Sequence, residues 1–103
     1  MSTAARDSEL TKLRYEVGSY VDPQSYVALD GTEHLYGEDW TRRRWEVYDR
    51  DEHRCVRCGK MLEFHQAEID HKIPRSKCRD DRLQNLVTLC AGCHRTGPNS
   101  KHI

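Results

Sequence analysis

Apolar positions recur along the chain in two rhythms, one helical and one alternating. Leu10, Leu13 and Val17 fall at i, i+3 and i+7 behind Ser8, whose hydroxyl can cap a first turn, so a short helix ending near Gly18 is predicted. Tyr26-Val27-Ala28-Leu29 and Thr32-Glu33-His34-Leu35-Tyr36 flank Asp30-Gly31. That pair tolerates positive φ at both positions, which predicts a β-hairpin closed by a two-residue type I′ turn. Asp39 then precedes Trp40, Arg44, Val47 and Tyr48 at helical spacing, predicting a second helix with Asp39 at its start and Arg42 and Arg43 turned toward solvent.

The helical period stops at Asp51. Cys55-Val56-Arg57-Cys58-Gly59-Lys60 has the form of a metal knuckle, with Gly59 free to make the tight turn after the second thiol. Ala67, Ile69, His71 and Ile73 alternate with Glu68, Asp70 and Lys72, which predicts a strand ending at Pro74. Polar residues 75–84 form a loop, Leu86-Val87-Thr88-Leu89 a second strand, and residues 91–95 the start of a helix that carries His94. The elements make an α+β chain. It divides at 39/40 into an N-terminal extension of helix plus β-hairpin (residues 1–39) and a second unit (residues 40–103).

Size and composition then ask what holds such a chain together. With 103 residues, 36% of them hydrophobic, 33% charged and a single Phe, a purely apolar core is marginal. Five cysteines offer a staple, and compartment decides its kind. The N-terminus, Met1-Ser2-Thr3-Ala4-Ala5-Arg6-Asp7, has no apolar run of signal-peptide length, and no segment approaches the roughly 18 apolar residues of a membrane span, so the expected location is cytoplasmic, with no membrane partner. In a reducing cytosol, Cys55-x-x-Cys58 and Cys90-x-x-Cys93 read as two chelating pairs for one structural Zn²⁺, closed by four thiolates. A thioredoxin-like redox protein would need only one such motif, in a βαβ context. The 31 residues between Cys58 and Cys90 exceed the roughly 15–20 of a simple zinc ribbon, leaving chain for another task.

Net charge is zero, but it is unevenly spread: residues 1–39 carry 3 basic and 8 acidic side chains, and residues 40–103 carry 14 and 9. A basic C-terminal part fits a phosphate-facing surface, although four thiolates on one zinc would remove about two units of that positive charge.

The ordered set Ile69-Asp70-His71-Lys72-Ile73-Pro74, then Gln84-Asn85-Leu86-Val87-Thr88-Leu89-Cys90-Ala91-Gly92-Cys93-His94, resembles the HNH endonuclease family. The approach Arg44-x-x-Val47-Tyr48-x-Arg50-Asp51 before Cys55 is similar to the entry of zinc-containing members into their first knuckle. The resemblance implies a ββα-metal (His-Me finger) core within a treble-clef-like zinc frame. It implies His71 as general base, and Asp70 and His94 as ligands of a catalytic Mg²⁺ or Mn²⁺ (other divalent transition metals being open). It implies Asn85 as the brace of the loop between the strands, a position that in some relatives ligates the metal. The implied partner is double-stranded DNA in a bacterial or phage-infected cell, with no small-molecule cofactor. One such site cuts one strand, so double-strand cleavage calls for a homodimer or for sequential nicking.

The chain departs from the family pattern twice. Cys78-Arg79-Asp80-Asp81 stands where loop glycines are common, leaving Cys78 as a free thiol, and Thr96-Gly97-Pro98-Asn99 breaks the last helix. His102, roughly 12 Å past His94 along an unbroken helix, joins the second metal only if the chain folds back at that break. Lys72, Arg75, Lys77, Arg79 and Arg43 head the residues expected to contact phosphate, while helical spacing assigns Trp40 to packing rather than base stacking. The rival reading is a zinc-finger module that keeps the frame and binds DNA or protein without cutting.

Overall fold

The structure, a computed structural model, describes residues 21–96. The expected N-terminal helix, the break at Gly97-Pro98 and His102 lie outside the described residues.

The hairpin pairs β1 (Tyr26–Val27) with β2 (Glu33–His34), in the antiparallel register Tyr26↔His34 and Val27↔Glu33. Its turn differs from the expected type I′. The Ala28 N–H bonds the Thr32 carbonyl and the Gly31 N–H bonds the Ala28 carbonyl, which leaves a three-residue loop, Leu29-Asp30-Gly31. Of the two residues that a type I′ turn would need at positive φ, only Gly31 has it, at 90°. The reason is local: Asp30 spends its carboxylate on the Thr32 N–H and hydroxyl, at 3.0 and 2.7 Å, an Asx turn that competes with the tighter loop.

Helix α1 runs Gly37–Arg50, starting before the expected cap. Asp39 lies inside the first turn rather than at its start. Its buried carboxylate accepts the N–H groups of Val21 and Asp22 at 2.6 and 2.8 Å and pairs with Arg42, so it ties down the chain that enters the hairpin. Val47 and Tyr48 point into the core, and Trp45 stacks on Phe64 with ring centroids 3.8 Å apart.

Past the helix, an Arg54–Met61 bridge closes the first knuckle, with Gly59 at φ 81°. A 3₁₀ turn (Phe64–Gln66) leads to β3 (Glu68–His71), which pairs antiparallel with β4 (Leu86–Leu89) in the register Glu68↔Leu89, Ile69↔Thr88, Asp70↔Val87, His71↔Leu86. Helix α2 (Ala91–Thr96) follows at once. The expected strand over 67–73 stops at His71 because the next two N–H groups leave the ladder: Lys72 bonds the Asn85 carbonyl at 2.7 Å and Ile73 the Asn85 side chain at 2.9 Å.

The core is small. Tyr48, Cys55, Leu62, Ala67 and Leu89 cluster with Phe64, Val87, Cys90 and Cys93 packed against them, so both cysteine pairs abut the hydrophobic centre. Leu86, fully buried, anchors β4 from within, and its carbonyl accepts from Arg50 Nη2 at 2.6 Å. In so small a core, Leu86→Ala should cost about 2–5 kcal/mol, read as a lower urea midpoint with unchanged m-value. An unshifted midpoint would contradict this packing.

Candidate active site

The four paired cysteines converge. One ligand atom from each of Cys55, Cys58, Cys90 and Cys93 lies within 4.8 Å of the others, and Cys58 Sγ and Cys90 Sγ are 3.8 Å apart. Tetrahedral Zn²⁺ with bonds of about 2.3 Å sets its sulfurs about 3.8 Å apart, so the cluster is compatible with a zinc-stapled ββα core. Each pair is shaped by its own backbone: the Cys58 N–H points at Cys55 Sγ and the Cys93 N–H at Cys90 Sγ, both at 3.4 Å. Burial pushes the Cys55 thiol up, but backbone N–H groups, led by that of Cys58, outweigh it and bring it down to about 6. The hydrogen bond with Cys90, then burial, pushes Cys93 up to about 12. Four sulfurs this close cannot all ionise without a cation among them. Cys78 is exposed, twelve residues before Cys90, and is not one of the four clustered cysteines.

Asp70 and His71 are successive residues of β3, and their side chains take different partners. Asp70 Oδ1 accepts the backbone N–H of His71 at 3.0 Å and lies 3.8 Å from His94 Nδ1, presented by α2. His94 Nδ1 is buried, and among the described residues it has no hydrogen-bond partner. A buried imidazole nitrogen left unsatisfied beside a carboxylate, beyond hydrogen-bond reach, leaves both groups open to a further partner. Two ligand atoms each about 2.1 Å from one cation stand between about 3 and 4.2 Å apart, so the pair fits a divalent ion completed by other oxygens.

His71 turns to α1 and the 75–82 loop. Its ring stacks on Trp40, with centroids 5.7 Å apart and planes 17° apart, and its Nε2 lies 2.7 Å from Asp81 Oδ1. Asp81 is fully buried. Burial alone would raise its carboxyl pKa, but the His71 hydrogen bond, the Leu35 N–H and the Arg75 and Arg79 charges hold it down at about 2. Asn85 is also buried, and its carboxamide is fully engaged. Oδ1 accepts the Ile73 N–H, and Nδ2 donates to the Asp80 carbonyl at 2.8 Å and the Ile73 carbonyl at 3.4 Å. It therefore pins both ends of the loop at once.

The basic residues separate into two groups. Lys72, Arg75 and Lys77 are exposed, with the Arg75 guanidinium beside His71 and 5.1 Å from the Trp40 ring centroid. Arg43, expected at the solvent face, is instead turned inward. It donates to Glu33 at 2.6 Å, to Glu46 at 2.7 Å and to the Asp81 carbonyl at 2.8 Å, with 12% of its side chain exposed. Acceptors on the hairpin and the loop recruit it, which removes it from the phosphate-facing group. Arg79 is similarly committed to the Leu35 carbonyl, the Tyr36 hydroxyl and Asp81.

Trp40, read from its spacing as packing, packs against His71; the residue of this site that escapes sequence reasoning is Asp81. The signal for Asp81 was an acidic pair, Asp80-Asp81, in an otherwise basic loop.

Residues 55–99, a little under half of the chain, match the model of the HNH endonuclease family. A CRISPR-associated endonuclease Cas9 of Corynebacterium diphtheriae is 29% identical over 58 residues, covering 55% of this chain and 5% of that protein. A CRISPR-associated endonuclease Cas9 of Actinomyces naeslundii is 32% identical over 47 residues, covering 45% of this chain and 4% of that protein. The chain thus spans about a twentieth of each relative's length. No solved structure matches it. No helix among the described residues is long and apolar enough to cross a membrane.

Because Arg43 satisfies the loop rather than facing outward, Arg43→Ala should destabilise the fold by about 1.5–3 kcal/mol in urea unfolding. It should also leave the salt dependence of any DNA binding unchanged. A salt slope lowered by about one would show that Arg43 contacts phosphate after all.

Proposed function

We propose that the protein is a metal-dependent DNA endonuclease that hydrolyses one phosphodiester bond per site, with His71 as general base and Asp70 and His94 holding one divalent cation. The observation that carries this reading is the unsatisfied His94 Nδ1 beside the Asp70 carboxylate, next along the strand from a histidine bound to a buried acid.

His71 takes a proton from the attacking water, the general-base task to which an imidazole ring nitrogen is suited. The Asp70 carboxylate and the His94 imidazole supply one hard oxygen and one nitrogen, a donor set that suits Mg²⁺ or Mn²⁺. When bound, such a cation supplies charge stabilisation at the scissile phosphate and the leaving 3′ oxygen. The leaving 3′ oxygen takes a proton from solvent water to end as a 3′-hydroxyl, and the other end keeps a 5′-phosphate. Asn85 acts as a brace: by joining Ile73 to Asp80 it fixes the loop that faces His71. Exposed Lys72, Arg75 and Lys77 contact backbone phosphates and position a duplex without reading its sequence. The four cysteines hold Zn²⁺, which keeps the frame and takes no part in the chemistry because no coordination position stays open. Residues 40–103 form the nuclease unit, and the hairpin acts with it through Arg43 and the loop.

Zinc-loaded protein supplied with Mg²⁺ or Mn²⁺ should convert supercoiled plasmid to the nicked form. His71→Ala should slow this by about 10²-fold or more, with zinc content and circular dichroism unchanged. Full activity in that variant would refute the assignment. Binding without cleavage by the wild-type protein, in every divalent metal, would identify a silent binding module instead.

A further inference from the structure

Asp81 does more than fill a buried position. Its two oxygens face different elements: Oδ1 meets His71 Nε2 at 2.7 Å and Arg75 Nη2 at 3.3 Å, while Oδ2 accepts the Leu35 N–H at 2.9 Å and lies 3.4 Å from Arg79. An ionised carboxylate only accepts hydrogen bonds, so the hydrogen between it and His71 belongs to Nε2. Arg75 Nε also directs its N–H at that nitrogen, at 3.3 Å. The shorter contact decides between them: Nε2 donates to Asp81, and the Arg75 guanidinium adds its charge beside the carboxylate. The neutral ring then carries its lone pair on Nδ1.

Building on the nuclease reading above, we propose that Asp81 is a positioning residue for that reaction. By holding Nε2–H, it fixes the His71 tautomer and ring plane so that Nδ1 is the atom that accepts the proton from water. Three features make the hold rigid. Trp40 stacks against one face of the ring, so rotation about its axis is restricted. Asp81 is anchored by a backbone donor from the hairpin, an N–H that cannot change rotamer. The Asp81 main chain is fixed as well, its N–H bonding the Glu33 carbonyl at 2.8 Å and its carbonyl accepting from Arg43. The hairpin, which carries none of the reacting groups, thus reaches His71 through the Asp81 carboxylate.

The test separates positioning from simple folding. In Asp81→Asn the side-chain oxygen can still take the Leu35 N–H, but the amide then turns an N–H toward His71 Nε2. That nitrogen must accept, and the ring hydrogen moves to Nδ1, where it blocks proton uptake. The plasmid-nicking kcat should fall about 10²–10⁴-fold while KM for DNA stays within about threefold. Nitrogen-15 NMR of the neutral His71 ring should show the hydrogen on Nε2 in the wild type and on Nδ1 in Asp81→Asn. A wild-type His71 protonated on Nδ1, or an Asp81→Asn protein with kcat within threefold of wild type, would overturn the proposal. Should Asp81→Asn not fold, the wild-type tautomer alone decides. A wild-type protein that never nicks DNA, yet carries the hydrogen on Nε2, would overturn the nuclease reading and leave the Asp81–His71 hold established.

Discussion

Four residue pairs between β3 and β4 set the geometry on which the site depends. Side chains alternate along a strand, so two neighbouring functional residues can serve one site only if each side of the strand has its own support. The register Asp70↔Val87 and His71↔Leu86 provides this. It brings Asp70 to α2 and His94, and His71 to Trp40 of α1 and Asp81 of the loop. A slip of one residue would exchange the two sides and separate each group from its partner. Resistance to such a slip comes from Leu86 and Leu89, both buried on β4, and from Cys90, which begins the second chelating pair directly after the strand.

Around this pairing the chain spends its polar groups on holding a loop still. Asn85 joins the start of the loop to its end. Asp80 accepts the backbone N–H groups of Arg82 and Glu33, and Arg43 reaches from α1 to the Asp81 carbonyl. The hairpin adds the Glu33 carbonyl and the Leu35 N–H. With so little apolar core, order near His71 comes from these charge-assisted bonds and from the cysteine cluster packed against the hydrophobic centre. The acidic character of the hairpin thereby finds a structural use: Glu33 meets Arg43, and the loop's own Asp80 and Asp81 meet Arg82, Arg75 and Arg79.

What the sequence made legible was what local spacing encodes. The paired cysteines announce themselves because a chelating turn needs two intervening residues, and Leu86–Leu89 reads as a strand because its apolar run ends at Cys90. Asp70, His71, Asn85 and His94 were marked together by the family resemblance that their order along the chain carries. The rest depended on partners far away in sequence. Arg43 looked solvent-facing on a helical wheel, but its acceptors are Glu33 and the carbonyl of Asp81, 38 residues on. Asp81 looked like loop decoration, since its anchor, the Leu35 N–H, is 46 residues away. Asp39 read as a helix cap until the chain at Val21 and Asp22 claimed its carboxylate. In each case a buried polar group found a long-range partner that no periodicity records.

On the proposed reading, Asp70 and His94 form a cation site distinct from the four cysteines and adjacent to His71. Manganese titration of the zinc-loaded protein, followed by paramagnetic broadening of its NMR signals, tests this directly. Resonances of Asp70, His71 and His94 should broaden first, at a stoichiometry of one, and Asp70→Ala should abolish the effect while zinc is retained. Broadening that begins elsewhere, or that survives Asp70→Ala unchanged, would contradict it.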